Sequence, residues 1–156
     1  MRPIIVVMRH GRAVSADEAG GDENRWLTEE GRRDVELVAR LLPPGVRVVY
    51  SSPLRRARET AEIVARVLGV GVVVVEELRP GRARCRGGLA ELAKPGSLLV
   101  GHNPDLEEIL CCLIGGGNVH LEAGAAAVVE TERLAKGAGR LVELITPGLA
   151  RRAVRG

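Results

Sequence analysis

Aromatic residues are almost absent from this sequence, which has no phenylalanine, one tryptophan and one tyrosine among its 156 residues. The hydrophobic core must therefore be aliphatic, built from the Val, Leu, Ile and Ala that make up most of the apolar residues. Few aromatic rings also leave little surface on which nucleic-acid bases could stack. We therefore expect no nucleic-acid partner.

Cysteines and long apolar runs are also scarce. Cys85, Cys111 and Cys112 have the spacing of neither a disulfide framework nor a CxxC metal site, so we expect reduced thiols. The apolar run at residues 4–7 is too short for a secretion signal, and no segment approaches membrane-spanning length. These absences predict a cytoplasmic protein with no membrane partner.

Histidines and lysines are few as well. His10, His102 and His120 are the only histidines, and aspartates are rare, so the sequence offers no cluster of metal ligands. We expect neither a metal nor a cofactor. Lys94 and Lys136 are the only lysines among 23 basic residues. The arginine excess is compatible with phosphate binding by planar guanidinium groups, although a high-GC genome or a heat-adapted source explains most of it.

The length and the hydrophobic pattern predict one domain. We expect residues 1–150 to form it and residues 151–156 to be a frayed tail. Strands are predicted at residues 4–8, 46–50, 72–75, 97–100, 125–131 and 141–145. Helices are predicted over residues 28–42, 52–68, 89–94 and 103–114, with Thr28 and Ser52 as N-caps. The alternation predicts a three-layer α/β/α sandwich with a mostly parallel central sheet.

Chemically distinctive residues follow the predicted strands. The first strand is followed by Arg9-His10-Gly11, and the second by an arginine-rich segment at residues 51–58. The third is followed by Glu76-Glu77, and the fourth by Gly101-His102-Asn103-Pro104. Each segment alone is typical of a surface loop or a helix cap. Because ligands of open α/β sheets bind beyond the carboxyl ends of the strands, the four segments together indicate one site.

These segments resemble the motifs of the histidine phosphatase superfamily, which includes the cofactor-dependent phosphoglycerate mutases. Met8-Arg9-His10-Gly11 is similar to the family signature, residues 51–61 to its second motif, and residues 101–104 to its third. Leu27-Thr28-Glu29-Glu30-Gly31 resembles the opening of its first long helix. The resemblance implies a phosphoglycerate mutase-like fold and a metal-independent reaction through a phosphohistidine.

The resemblance also implies a role for each matching residue. His10 corresponds to the nucleophile, Arg9 and Arg56 to phosphate-binding arginines, and His102 to a second histidine that binds the phosphoryl group. Asn103 is a further candidate for substrate binding. A neutral imidazole can attack phosphorus in line, and fixed positive charge stabilises the phosphoryl oxygens.

The length of the chain resembles the small SixA-type branch of the family, phosphohistidine phosphatases that act on phosphorylated proteins. The longer mutases carry extra segments over a small substrate, for which this chain has no room. We therefore expect a phosphorylated protein as substrate and phosphate as product. Two alternatives remain open: a phosphatase or mutase acting on a sugar phosphate or nucleotide, and a module that binds phosphorylated groups without turnover.

Two positions bear on the substrate. Arg12 stands where an acidic residue is common in that branch, so we expect a more positive pocket rim. Glu77 lies roughly where larger relatives place their general acid and is a candidate substrate contact. A basic loop follows, either a solvated surface or a docking surface for an acidic partner, and contains Arg79, Arg82, Arg84 and Arg86.

Overall fold

A six-stranded sheet organises the residues that the computed structural model describes, 2–155. The strands are β1 (Ile4–Arg9), β2 (Val48–Ser51), β3 (Gly71–Val74), β4 (Ser97–Gly101), β5 (Ala126–Glu130) and β6 (Arg140–Ile145). Their order across the sheet is β3-β2-β4-β1-β5-β6. The first four strands are parallel, while β5 runs antiparallel to both β1 and β6. The predicted mostly parallel sheet is confirmed.

Helices cover both faces of this sheet. They are α1 (Ala16–Ala19), α2 (Glu29–Arg40), α3 (Arg55–Leu68), α4 (Gly87–Leu92), α5 (Asp105–Leu113) and α6 (Pro147–Arg155). Buried residues of α2, α3 and α6 form one aliphatic core with the sheet, and those of α4 and α5 form a second core on the other face. The three-layer α/β/α sandwich predicted from the sequence is therefore confirmed. None of the helices within residues 2–155 is both long and apolar enough to span a membrane.

Strand β1 contributes to both cores because successive side chains of a strand point to opposite faces. Ile4, Val6 and Met8 belong to the core shared with α2, α3 and α6, whereas Ile5 and Val7 belong to the core shared with α4 and α5. All five side chains are buried. Because β1 is buried on both faces, the position of its last residue, Arg9, is well defined, and so is the start of the loop that follows it.

The segment before α2 and the start of α3 differ from the prediction. The predicted elements leave residues 9–26 without a helix or strand, but this segment contains α1 and a 3₁₀ turn at Asp22–Asn24. Ser52 was expected to be the N-cap of α3, but the cap residue is Leu54. The Ser52 hydroxyl accepts a hydrogen bond from the Leu54 amide at 3.2 Å, which stabilises the turn two residues before the helix begins.

Residues 151–155, for which a frayed tail is predicted, continue α6. Pro147 and Ala150 are buried, and Arg151 donates a 2.7 Å hydrogen bond to the Asp34 carboxylate on α2. These contacts attach the terminal helix to the core, and no sequence motif indicated them. Gly156 lies outside the described residues.

Gly31 allows α2 to lie against the loop that follows β1. The Thr28 amide donates to the Arg12 carbonyl at 3.0 Å, and the Thr28 hydroxyl caps α2 by accepting from the Gly31 amide at 2.9 Å. A Cβ atom on Gly31 would overlap the carbonyl oxygen of Arg12. The glycine of the Leu-Thr-x-x-Gly pattern is thus required by a close approach between backbones.

We predict that Gly31→Ala destabilises the protein by about 1–3 kcal/mol, because a helix and a main-chain segment must separate to admit the methyl group. Gly71→Ala is the matched control, since a Cβ atom there meets nothing within 4 Å. Urea unfolding measures both variants. Equal losses of unfolding free energy in the two would contradict this account of Gly31.

Candidate active site

The pairing of β1 with β4 brings two histidines together. Arg9 is the register partner of Gly101, so the next residues, His10 and His102, leave neighbouring strands at the same level. The His10 amide donates to the Gly101 carbonyl at 3.1 Å, which continues the pairing beyond the strands. The two imidazole ring centroids lie 5.2 Å apart, and both side chains are buried.

Hydrogen bonds fix the tautomer of His10. Its Nδ1 atom lies 2.7 Å from the Gly11 carbonyl oxygen, and a carbonyl oxygen can only accept, so Nδ1 carries the proton. The Nε2 lone pair is then available, and it accepts a hydrogen bond from Arg56 Nε at 3.3 Å. The unprotonated nitrogen of the ring therefore points towards a guanidinium group.

Burial keeps both histidines neutral. It lowers the pKa of His10 to about 3 against the opposing effect of the Gly11 hydrogen bond, and the charges of His102, Arg56 and Arg9 make smaller contributions that also lower it. It also lowers the pKa of His102 to about 4, with Arg56 as the next contribution. Because a protonated imidazole has no lone pair at Nε2, this environment keeps His10 competent as a nucleophile at neutral pH.

Arg56 reaches His10 from the first turn of α3, where its side chain is only 6% exposed. Arg55 turns away, stacks over the Trp26 ring at 5.3 Å and pairs with Glu59 at 3.0 Å. Arg58 is exposed and donates to the Pro53 carbonyl. The structure thus brings Arg56, rather than either neighbouring arginine, to His10.

Arg9, His102 and Asn103 complete the cluster. Arg9 and Asn103 both donate to the Leu121 carbonyl, at 3.3 and 2.9 Å, and His102 Nε2 lies 2.8 Å from the Ser52 hydroxyl. Three buried polar atoms in the cluster have no hydrogen-bond partner within residues 2–155, namely Arg9 Nε, His102 Nδ1 and Asn103 Oδ1. Two of these are nitrogen atoms that can donate to an oxyanion.

Helix α3, which carries the second motif, holds this cluster in place. Thr60 accepts a hydrogen bond from the Gly11 amide at 3.0 Å and donates to the Arg56 carbonyl at 2.8 Å. Glu59 accepts from the Leu27 amide at 2.8 Å. The consecutive Glu-Thr of this motif therefore links α3 to the loop after β1 and to the start of α2.

The remaining candidate residues make other contacts. Arg12 pairs with Glu30 on α2 at 2.9 Å. Glu77 lies in the 3₁₀ turn Glu76–Leu78, where its side chain packs beside Gly88, and within the described residues it forms no hydrogen bond to His10. Their predicted substrate contacts stay predictions. In the basic loop, Arg79 pairs with Glu76 and Glu23, Arg82 with Glu76, and Arg84 with Asp105.

The sequence motifs do not predict two residues of the site, Asp22 and Arg25. Asp22 accepts from Arg56 through its backbone carbonyl at 2.8 Å and through its carboxylate at 3.3 Å. Arg25 donates to the same carboxylate at 3.3 Å. Neither lies in a recognisable motif, and the contact depends on the fold of residues 15–25, so spacing alone could not have revealed it.

The arrangement suits chemistry on a phosphoryl group. A neutral imidazole with its lone pair directed at a cationic cluster can attack phosphorus while the cations hold the oxygens. Among residues 2–155, no group of three or more His, Cys, Asp or Glu side chains is placed to hold a metal ion. The site is thus built from two imidazoles and arginines on loops after parallel strands.

Solved structures of similar fold include the protein histidine phosphatase SixA in complex with tungstate. It has a TM-score of 0.77 and 25% identity over 93% of this chain and 97% of that chain. A protein named as phosphohistidine phosphatase SixA from Nakamurella multipartitia has a TM-score of 0.71 and 25% identity, covering 94% and 97% of the two chains. A protein named as an alpha-ribazole-5'-P phosphatase from Escherichia coli has a TM-score of 0.70, covering 93% and 98%, but its 18% identity shows the fold alone.

The sequence comparisons identify the family. No curated protein matches this sequence. The family model of the histidine phosphatase superfamily (branch 1) matches residues 5–83, just over half of the chain, a range that includes the signature at the end of β1 and the second motif at the start of α3. The SixA-like neighbours agree with this match, and together they support phosphatase activity. This chain therefore belongs to the histidine phosphatase superfamily.

Proposed function

We propose that this protein hydrolyses phosphohistidine, or another phosphorylated side chain, on a protein substrate through a phosphohistidine intermediate at His10. One observation carries the proposal: the unprotonated Nε2 of a buried His10 faces Arg56, with His102 5.2 Å away between ring centroids. A group that only bound phosphate would not need a neutral imidazole with a directed lone pair.

The reaction has two steps. In the first, His10 Nε2 forms a bond to phosphorus while the bond to the leaving group breaks, and the leaving group takes its proton from solvent. In the second, water attacks the phosphohistidine, loses a proton and releases inorganic phosphate, which restores neutral His10. We assign the phosphoryl oxygens to Arg9 and Arg56, with His102 as a further donor and Asn103 at the edge of the same pocket.

The acid–base character of the site favours a phosphoramidate over an alkyl phosphate. Asp22 is the carboxylate that contacts the cluster through Arg56. Burial raises its pKa, but the charges and hydrogen bonds of Arg56 and Arg25 outweigh that effect and hold the pKa below its usual value. An ionised carboxylate cannot protonate a leaving group, and the imidazole of phosphohistidine leaves more readily than an alkoxide. This supports the SixA-type substrate class.

A substrate panel tests the proposed activity. Phosphohistidine on a protein should be hydrolysed with higher kcat/KM than phosphoserine peptides, sugar phosphates or nucleotides, in buffer containing a chelator. His10→Ala should lower phosphate release by at least about a thousandfold. Preference for a sugar phosphate or nucleotide would replace the substrate class with a small molecule. Full activity of His10→Ala would reject His10 as the nucleophile.

Alanine substitutions along α3 test the phosphate clamp. Arg56→Ala should lower kcat/KM by about a hundredfold to a thousandfold, because a buried cation beside the nucleophile is lost. Arg55→Ala and Arg58→Ala, matched controls on the same helix, should cost less than about tenfold. Arg56→Lys should recover only part of the activity, since an ammonium group cannot form two parallel hydrogen bonds. A larger loss in Arg55→Ala would contradict the assignment.

The pH dependence follows from the neutral state of His10 and His102. Their Hε1 resonances, assigned with His10→Gln and His102→Gln, should not titrate between about pH 8 and about pH 5, because their pKa values lie near 3 and 4. The unfolded chain binds protons at both residues near pH 6.5, so folding stability is fully retained above that pH and declines as pH falls towards 4. A titration midpoint between pH 6 and 7 for either resonance would contradict the described burial effect.

A further inference from the structure

Asp22 occupies the outer side of the Arg56 guanidinium. Arg56 Nε donates to His10, Nη1 to the Asp22 carbonyl at 2.8 Å, and Nη2 to the Asp22 carboxylate at 3.3 Å. Every nitrogen of the guanidinium therefore has a partner within the protein. A phosphoryl group that binds Arg56 must share this cation with the carboxylate or displace it.

The two partners of this ion pair differ sharply in exposure. The Arg56 side chain is 6% exposed, so its charge needs a nearby anion, whereas the Asp22 side chain is 59% exposed. Asp22 lies in the 3₁₀ turn Asp22–Asn24, and solvent can take over its hydrogen bonds when it moves. The carboxylate can therefore leave Arg56 at low cost, while Arg56 gains from any anion that replaces it.

A second arginine shares the same carboxylate. Arg25 donates to Oδ1 of Asp22 at 3.3 Å, while Arg56 contacts Oδ2. The guanidinium of Arg25 is further held by a 2.7 Å hydrogen bond from its Nε atom to the Val14 carbonyl. Asp22 thus offsets the charge of Arg56, which contacts His10, and of Arg25, and any dianion entering the cluster meets that negative charge.

We propose that Asp22 is an internal competitor for the phosphoryl group, a residue that limits anion affinity at Arg56 and thereby promotes release of phosphate. The inference deepens the proposed function, because it takes the cluster around His10 to be the phosphoryl site. Asp22 itself contacts no reacting atom and acts through Arg56. Its effect is on KM and on product inhibition, since the carboxylate opposes bound substrate and bound phosphate alike.

Asp22→Asn isolates the charge. The substitution keeps the backbone carbonyl that accepts from Arg56 Nη1. It replaces the carboxylate by an amide of nearly the same size, whose oxygen can still accept from Nη2, and it removes the negative charge. We expect the Kd for tungstate, measured by calorimetry, to fall by about three- to tenfold. The inhibition constant for inorganic phosphate and the KM should fall by a similar factor, without an increase in kcat. Asp22→Glu, which restores the charge, should return these values towards wild type.

Two controls separate competition from a general effect. Glu23→Gln removes the neighbouring carboxylate of the same turn, which pairs with Arg79 at 3.2 Å, and should leave tungstate affinity unchanged. In an Arg56→Ala background, most of the gain from Asp22→Asn should disappear, because Arg56 is the cation for which carboxylate and anion compete.

The outcomes are distinct. Weaker or unchanged tungstate binding in Asp22→Asn would overturn the proposal, and weaker binding would identify Asp22 as an anchor that positions Arg56. Tungstate binding does not require turnover, so a protein that binds tungstate but hydrolyses no phosphorylated substrate would contradict the proposed function alone. A wild type that binds no tungstate would overturn both.

Discussion

The parallel pairing of β1 with β4 is the constraint on which the site depends. The two strands lie at the centre of the sheet, and their register places Arg9 beside Gly101, so that His10 and His102 emerge together. Alternating side chains of β1 fill both aliphatic cores, so the strand is held in the middle of the sheet. The register with β4, continued by the hydrogen bond from the His10 amide to the Gly101 carbonyl, then sets the distance between the two imidazoles.

The second constraint is charge. The site buries a guanidinium and two imidazoles, and each avoids the cost of burial differently. The histidines stay neutral, which leaves His10 with the lone pair that phosphoryl transfer needs. Arg56 keeps its charge beside Asp22. A phosphoryl dianion is the ligand that such a cluster favours, because its oxygens can accept from Arg9 and can replace the Asp22 carboxylate at Arg56.

The sequence predicted the sheet and the main helices from the spacing of apolar residues, and the positions of His10, His102 and Arg9 after the strands indicated that they lie together. Arg56 was distinguished from Arg55 and Arg58 by the resemblance to the family's second motif. The sequence did not predict the contact between Asp22 and Arg56, which joins a turn to a helix through the tertiary fold. It also predicted a frayed end at residues 151–156, although Thr146 and Pro147 carry a helix-start signal: the Thr146 hydroxyl accepts from the Leu149 amide at 3.0 Å, and Pro147 is the first residue of α6. The spacing of apolar residues along the chain predicts helices and strands. A single polar contact between residues far apart in the sequence has no such repeating pattern, so it cannot be predicted in this way.

The central claim is that His10 Nε2 carries the phosphoryl group during turnover. Rapid quenching into alkali during hydrolysis of a phosphohistidine protein, followed by mass spectrometry and ³¹P NMR, tests it directly. The Nδ1 hydrogen bond to the Gly11 carbonyl predicts phosphate on His10 at Nε2. Phosphate on Nδ1, phosphate on another residue, or steady turnover with no phosphorylated enzyme would contradict the account.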